Sequence, residues 1–268
     1  MNDTRTITRR PLGSVESRLL SQVSQLATFA LSDARLALEP RQRPFAAQIL
    51  KRLQDKGWLA RVARGRFAVI PLSSGTTGSA QLHEFAVAME LVHPAAIAYL
   101  SALSHHGLTE QLARTVFVAT NHPVRQRHRE SQGIAFRIVS LRPHKYFGVD
   151  KAWADEHAFS VTNLEKTIID ALDLPHLAGG LGLVAAALGS HWDRLDEQRL
   201  RDYADRIGNS AAAKRLGFLM ESLGLGDAEA LREAVTLGTG YPRLDPSQPA
   251  RGTHNTRWGL LLNMRVAR

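Results

Sequence analysis

The stretch ILKRLQDKGWLARVARGRFAVIP, residues 49–71, permits few local structures. Its first half repeats apolar residues at helical spacing, with Ile49, Leu50 and Leu53 on one face and Gln48, Lys51, Arg52 and Lys56 on the other. Gly57 can take the positive φ that ends such a helix. Two short apolar runs, WLARV and RFAVI, follow through Ala-Arg-Gly, and Gly65 suits the tight turn of a hairpin. Between Lys51 and Arg66 the stretch carries six basic side chains and one acidic one.

The residues upstream supply what such a unit needs to bury its apolar face. Val15, Leu19, Leu20, Val23, Leu26 and Ala27 predict an amphipathic helix over 14–30. Ser32 can cap a short helix that Pro40 stops, and Pro44 fits the first position of a third helix in which Phe45, Ile49, Leu50 and Leu53 face inward. Helix, short helix, helix, hairpin is the order of a winged helix-turn-helix. A helix that enters the major groove needs an apolar inner face for docking and a polar, basic outer face for bases and phosphates. Gln48, Lys51 and Arg52 offer that outer face, with Arg41 and Arg43 flanking its start. Arg61, Arg64 and Arg66 lie on or beside the wing, within reach of a phosphate backbone or a minor groove. A solvated basic face on a small helical domain is the plainer reading of any one of these residues. The ordered elements together with the localised charge favour DNA.

Charge separates this region from the rest. The 268-residue chain has a net charge of +9, from 34 Lys+Arg and 25 Asp+Glu. Residues 1–72 hold 13 basic and 5 acidic side chains; the remainder holds 21 and 20. A basic module on a near-neutral body suggests a polyanion-binding attachment. The segment from Pro71 to Gln81, PLSSGTTGSAQ, is small, polar and glycine-rich. The expected organisation is therefore a DNA-binding domain at 1–72, a linker at 73–81 and a larger domain at 82–268. Hydrophobic content is 44%, enough for a core, and cysteine is absent, which suits a reducing cytoplasm. No apolar run approaches the ~20 residues of a membrane span, and the N-terminus lacks the apolar core of a signal peptide. No membrane partner is expected.

The second region predicts a mixed α/β domain with a small mixed sheet and several helices. A helix is expected from Pro94 to Gly107, with strands at TVFVAT and IAFRIV and a polar basic loop, NHPVRQRHRESQG, between them. That loop presents Arg125, Arg127 and Arg129, which could extend a nucleic-acid footprint or meet a partner; a solvated loop is the plainer reading. FSVTNLEKTIIDAL reads as strand, then Thr162 and Glu165 in capping-box spacing, then helix. Four further helices and a late strand at RWGLLLN complete the pattern.

Chemistry-bearing motifs are scarce. No histidine falls in metal-ligand spacing, and His105-His106 suits a helix C-terminus. Asp170, Asp173 and His176 suggest acid/base work, though a carboxylate after a strongly apolar turn more often pairs inside the fold. Gly179–Gly182 lacks the GxxxxGK[ST] phosphate loop and reads as a turn between helices. There is no GxSxG elbow. Glu165-Lys166 are adjacent rather than spaced as in a nuclease, and no Asp-x-Asp follows a Gly-Ser turn as in a nucleotidyltransferase. The residues point away from an enzyme, and no metal or cofactor is expected.

Several phrases in fixed order resemble the AbiEi family of antitoxins: HPAAIAYLSALSHHGLTEQLARTVFVAT, FGV, VTNLEKTIIDALDLPHLAGGL, AAAKRLGFLMESLG and YPRLDPSQPARGTHNTRWGLLLN. The resemblance covers most of residues 20–263. It implies an N-terminal winged helix that binds and represses the protein's own promoter; inverted repeats there would call for two copies of the reading head. It also implies a C-terminal domain that counteracts a nucleotidyltransferase-type toxin encoded alongside, in a type IV toxin–antitoxin system of abortive infection. Antagonism without direct contact is as compatible with it as contact. The family offers no catalytic residues to transfer. The expected function is thus a DNA-binding antitoxin and autorepressor, the alternative being a transcription regulator whose C-terminal domain senses a ligand and has no toxin partner.

Overall fold

The computed structural model describes residues 9–72, 82–154 and 157–266. The fold is mixed α and β, in two compact units. The first takes the described residues up to His93 together with those of 130–134 and 153–158; the second takes the rest. The linker expected at 73–81 lies outside the described residues. No helix among the described residues is long and apolar enough to cross a membrane.

The first unit runs α1 (Ser14–Val23), β1 (Phe29–Ala30), α2 (Leu31–Ala37), α3 (Ala46–Asp55), then the hairpin β2 (Leu59–Ala63) and β3 (Arg66–Val69). This is winged-helix order, with β3 paired antiparallel to both β1 and β2. Its core gathers Leu19, Val23, Phe29, Ile49, Leu50, Leu53 and Leu59. The first helix is shorter than its periodicity predicts. It ends at Val23, and Phe29 leaves for β1, where it pairs with Phe67 and buries its ring completely. The ladder partner Phe67, 38 residues along the chain, decides for the strand. Ser32 is not the cap of α2, because the chain turns helical at Leu31 and the Asp33 carboxylate accepts the Ala30 N–H at 2.7 Å. Pro44 lies in a single 3-10 turn, Arg43–Phe45, just ahead of α3. That tighter turn takes Phe45 off the helical stripe, so it is 52% exposed rather than inward-facing.

After α3, Gly57 has φ +76° and the chain reverses into the hairpin. Lys56 ties this end of α3 to α1, its Nζ donating to Glu16 Oε2 at 2.6 Å and to the Pro11 carbonyl at 3.0 Å. Burial pushes the Glu16 carboxyl up, but the Gly13 N–H and Lys56 outweigh it and hold its pKa below the ordinary value. Helix α4 (Glu84–Leu91), which the sequence pattern did not single out, belongs to this unit.

In the second unit the helix expected from Pro94 begins later. Ala96–Ile97 forms strand β4, and α5 (Tyr99–His105) follows. The strands β5 (Thr115–Thr120), β6 (His128–Ser131), β7 (Ile134–Ser140), β8 (Val149–Ala154) and β9 (His157–Thr162) join β4 in a six-stranded sheet ordered β6-β7-β5-β4-β9-β8. β5 runs parallel to β7 and β4 parallel to β9, while β4 and β5 are antiparallel, so the sheet is mixed. β6 arises inside the segment expected to be loop. Short β4 is buried on both sides, which leaves no alternation for the sequence to display.

Helices α6 (Leu164–Asp173), α7 (Leu181–Ser190), α8 (Glu197–Arg206), α9 (Ser210–Leu223) and α10 (Ala228–Ala234) form the helical core. The cap of α6 is Asn163, whose side chain accepts the Lys166 N–H at 3.0 Å. Thr162 instead shares a hydrogen bond with Thr167 at 2.7 Å, so the expected capping box does not form. The tail ends in a hairpin of β10 (Thr253–Asn255) and β11 (Leu260–Leu262).

The KRLG of α9 explains why the tail sits where it does. Arg215, 4% exposed, donates to the carbonyls of Leu172, Arg243 and Leu244 at 2.8–3.0 Å. Gly217 packs closely on Trp258, the bulkiest of the fully buried side chains. Motifs that read as signatures in the sequence are thus the two halves of one packing contact.

Candidate nucleic-acid interface

Helix α3 sorts its residues cleanly. Ala46, Ile49, Leu50 and Leu53 are buried against the core, and Gln48, Lys51 and Arg52 are exposed. At positions i, i+3 and i+4 these three share one stripe. Gln48 lies towards the N-terminal end, the part of a recognition helix that reaches base edges. An Asn or Gln amide can bind adenine bidentately, and a Lys or Arg can bind guanine or a phosphate. Arg41 and Arg43 are exposed just before the helix, though Arg43 Nε donates to the Leu38 carbonyl at 3.2 Å, which anchors the base of its side chain.

On the wing, Arg61 and Arg64 are exposed and flank the turn at Gly65, which has φ +74°. The outer edge of β2 is occupied. The Val62 carbonyl accepts from Ser131 at 2.5 Å and the Arg61 carbonyl from Gln132 at 3.1 Å, both residues of the same unit. Pairing with another strand is thereby blocked while the Arg61 side chain stays outside.

Arg66 has a different task from its neighbours. Its guanidinium makes a two-pronged bond to Glu90 of α4, Nε to Oε2 at 2.6 Å and the terminal nitrogen to Oε1 at 3.0 Å. Thr28 donates to the same carboxylate. Burial raises the Glu90 carboxyl, but Arg66 and Thr28 more than reverse this and lower its pKa; Arg66 is raised by the same bond. Sequence reasoning missed Glu90 because it lies beyond the linker. The structure therefore brings Gln48, Lys51, Arg52, Arg61 and Arg64 to the surface as available groups and commits Arg66 to holding α4 on the wing. Arg66→Gln is expected to lower stability by about 1–2 kcal/mol, since it strips a charged partner from Glu90, and to leave the salt dependence of DNA binding unchanged. Arg64→Gln should do the reverse, flattening the log–log salt slope by about 0.9. Denaturant titration and binding at several salt concentrations separate the two.

Of the second basic group, Arg125 and Arg127 are exposed in the loop before β6, and Arg129 is half-buried on that strand. The Arg127 carbonyl accepts the Ile138 N–H at 2.7 Å, so the loop is held along β7.

The acidic candidates of α6 are engaged internally. Asp170, 1% exposed, pairs with Lys166, whose ammonium also stands 4.8 Å over the Phe147 ring. Burial pushes the Asp170 carboxyl up, and Lys166 offsets part of that. Asp173 pairs with Lys145 at 2.7 Å and accepts from Asn209. His176 is exposed in the following 3-10 turn, Pro175–Leu177. His106 hydrogen-bonds the Thr162 carbonyl at 2.6 Å, and burial lowers its pKa. Of these groups, Asp173 and Lys145 line a recess of about 470 Å³ together with Asn209.

No protein-family model matches the chain, and no curated protein matches it in sequence. Its fold is similar to that of the crystal structure of the RV2827C protein from Mycobacterium tuberculosis, at 14% identity and a TM-score of 0.63, over 96% of this chain and 94% of that one. At such identity the likeness is one of fold.

Proposed function

We propose that this protein is a DNA-binding antitoxin of the AbiEi kind. It represses its own promoter through the winged helix and counteracts a nucleotidyltransferase-type toxin through the second unit, in the cytoplasm. The observation that carries the DNA half is the stripe Gln48, Lys51 and Arg52, exposed on a helix whose other face is fully buried, beside a wing bearing Arg61 and Arg64. A helix docked on its buried apolar face can present that stripe to a major groove without rearranging, while the wing cations neutralise phosphates alongside.

The antitoxin half rests on the ordered motifs of the second region. The KRLG and YPRLDP…RWGLLLN phrases form one contact between α9 and the tail. Co-expression tests the reading. A nucleotidyltransferase-like gene beside this one should arrest growth alone and be harmless when this protein is present. A neighbour that is harmless by itself, or toxic regardless, removes the antitoxin role and leaves a repressor.

A further inference from the structure

Lys214 is a buried cation without an anion. It lies on α9 with 1% of its surface exposed. A lysine ammonium carries three N–H donors, and a single acceptor meets them here, the Gly240 carbonyl at 2.7 Å. Among the described residues no carboxylate pairs with it. Its neighbours on α9 are provided for differently: Arg215 has three carbonyls, and Glu221 accepts from Trp258 and pairs with Arg257. Burial depresses the Lys214 pKa, and no charged neighbour offsets it. An ammonium taken out of water without a counter-charge is costly, and ordinary packing would replace it with an apolar side chain.

Lys214 lines a recess of about 400 Å³. The loop Gly238-Thr239-Gly240, with φ +55° and +98° at its glycines, and the hairpin turn that holds Thr256 and Gly259 line it too. The backbone N–H groups of Gly238, Thr239 and Gly240 have no acceptor among the described residues. Glycine-rich loops with consecutive unpaired N–H groups form concavities that suit oxyanions. At Gly259, where φ is +58°, a side chain would come within 3.0 Å of the Lys214 Nζ, so glycine keeps the approach to the ammonium open. Arg257 also lines the recess but is neutralised by Glu221 at 3.1 Å and Glu229 at 2.5 Å.

We propose that this recess binds a phosphate-bearing ligand, its phosphate seated between the Lys214 ammonium and the N–H groups of the Gly238–Gly240 loop. The phosphate supplies the counter-charge that the fold withholds, and Thr239 and Thr256 also line the recess. Free phosphate and a nucleotide phosphate share this chemistry, and the space beyond the loop accommodates more than phosphate alone.

The test uses the full-length protein, with inorganic phosphate, AMP and adenosine as probes against sodium chloride of matched ionic strength. Thermal unfolding should show a saturable rise in midpoint with phosphate or AMP and none with adenosine. Response to phosphate alone identifies a phosphate site; response to AMP only identifies a nucleotide site. Lys214→Met, close to it in length, should weaken the response roughly tenfold or more, as expected for loss of a charge-assisted bond. Thr239→Glu, at an exposed loop position, places a competing carboxylate at the recess and should abolish the response without altering the fold, which keeps the test decisive even if Lys214→Met does not fold. No saturable response to either phosphate probe, or an equal response in the wild type and in Thr239→Glu, overturns the proposal. So does a Lys214→Met protein that folds and still responds fully.

Discussion

Lys51→Glu combined with Arg52→Glu is expected to weaken promoter binding roughly a hundredfold at ~0.1 M salt and to flatten the log–log salt slope by about two units. Both side chains stand on the exposed stripe of α3, and the buried face that docks the helix is untouched. Far-UV circular dichroism and the denaturation midpoint should therefore stay close to wild type. In the proposed complex each lost phosphate contact leaves one fewer counterion to be released, and the reversed charges repel the DNA backbone. Binding measured by fluorescence anisotropy between 50 and 200 mM salt reads both effects, the salt range being that over which phosphate contacts dominate. Unchanged affinity in a folded double variant would show that α3 does not face DNA.

A second large effect belongs to stability. Gly217→Ala should destabilise the second unit by about 3 kcal/mol or more. A methyl group on Gly217 would lie 2.1 Å from two ring carbons of Trp258, far closer than carbon atoms approach. The ring has no slack, being fully buried with its Nε1 donating to Glu221 at 2.5 Å. Helix propensity alone predicts the opposite sign, since alanine is favoured over glycine by ~1 kcal/mol in a helix interior. Gly189→Ala in α7 separates the two effects. Its added methyl would meet Leu223 at an ordinary 3.6 Å, so that variant should be neutral or slightly stabilising. Urea denaturation of both proteins decides the matter, and equal midpoints would mean that the tail is not packed on α9 as described.

Much of the first unit was legible in residues 45–70. Apolar spacing over Ile49, Leu50 and Leu53, a helix stop at Gly57 and a hairpin turn at Gly65 are local signals, and each corresponds to a local element. What failed was non-local. β1 exists because Phe29 finds Phe67, and Arg66 is withdrawn from the candidate DNA surface because Glu90 arrives from beyond the linker. In the second region the helices α7 to α10 showed their periodicity, whereas β4 and β6 did not. At two and four residues, β4 and β6 are too short to express a pattern.

The same division holds for the charged residues. Their number and placement along the chain separated a basic module from a near-neutral body, because charge is a property of composition. Which charges are available could not be counted that way. Lys56, Arg66, Lys166 and Arg215 meet carboxylates or carbonyls distant in the sequence or buried in the fold, while Lys51, Arg52, Arg61 and Arg64 remain on the surface. Lys214 meets one carbonyl and no acid. Periodicity, turns and net charge are set by neighbours in the chain, so the sequence determined the winged helix and the basic character of its exposed face. Partnership and burial are set by neighbours in space, and only the tertiary structure decided which cations hold the fold together and which remain for a ligand.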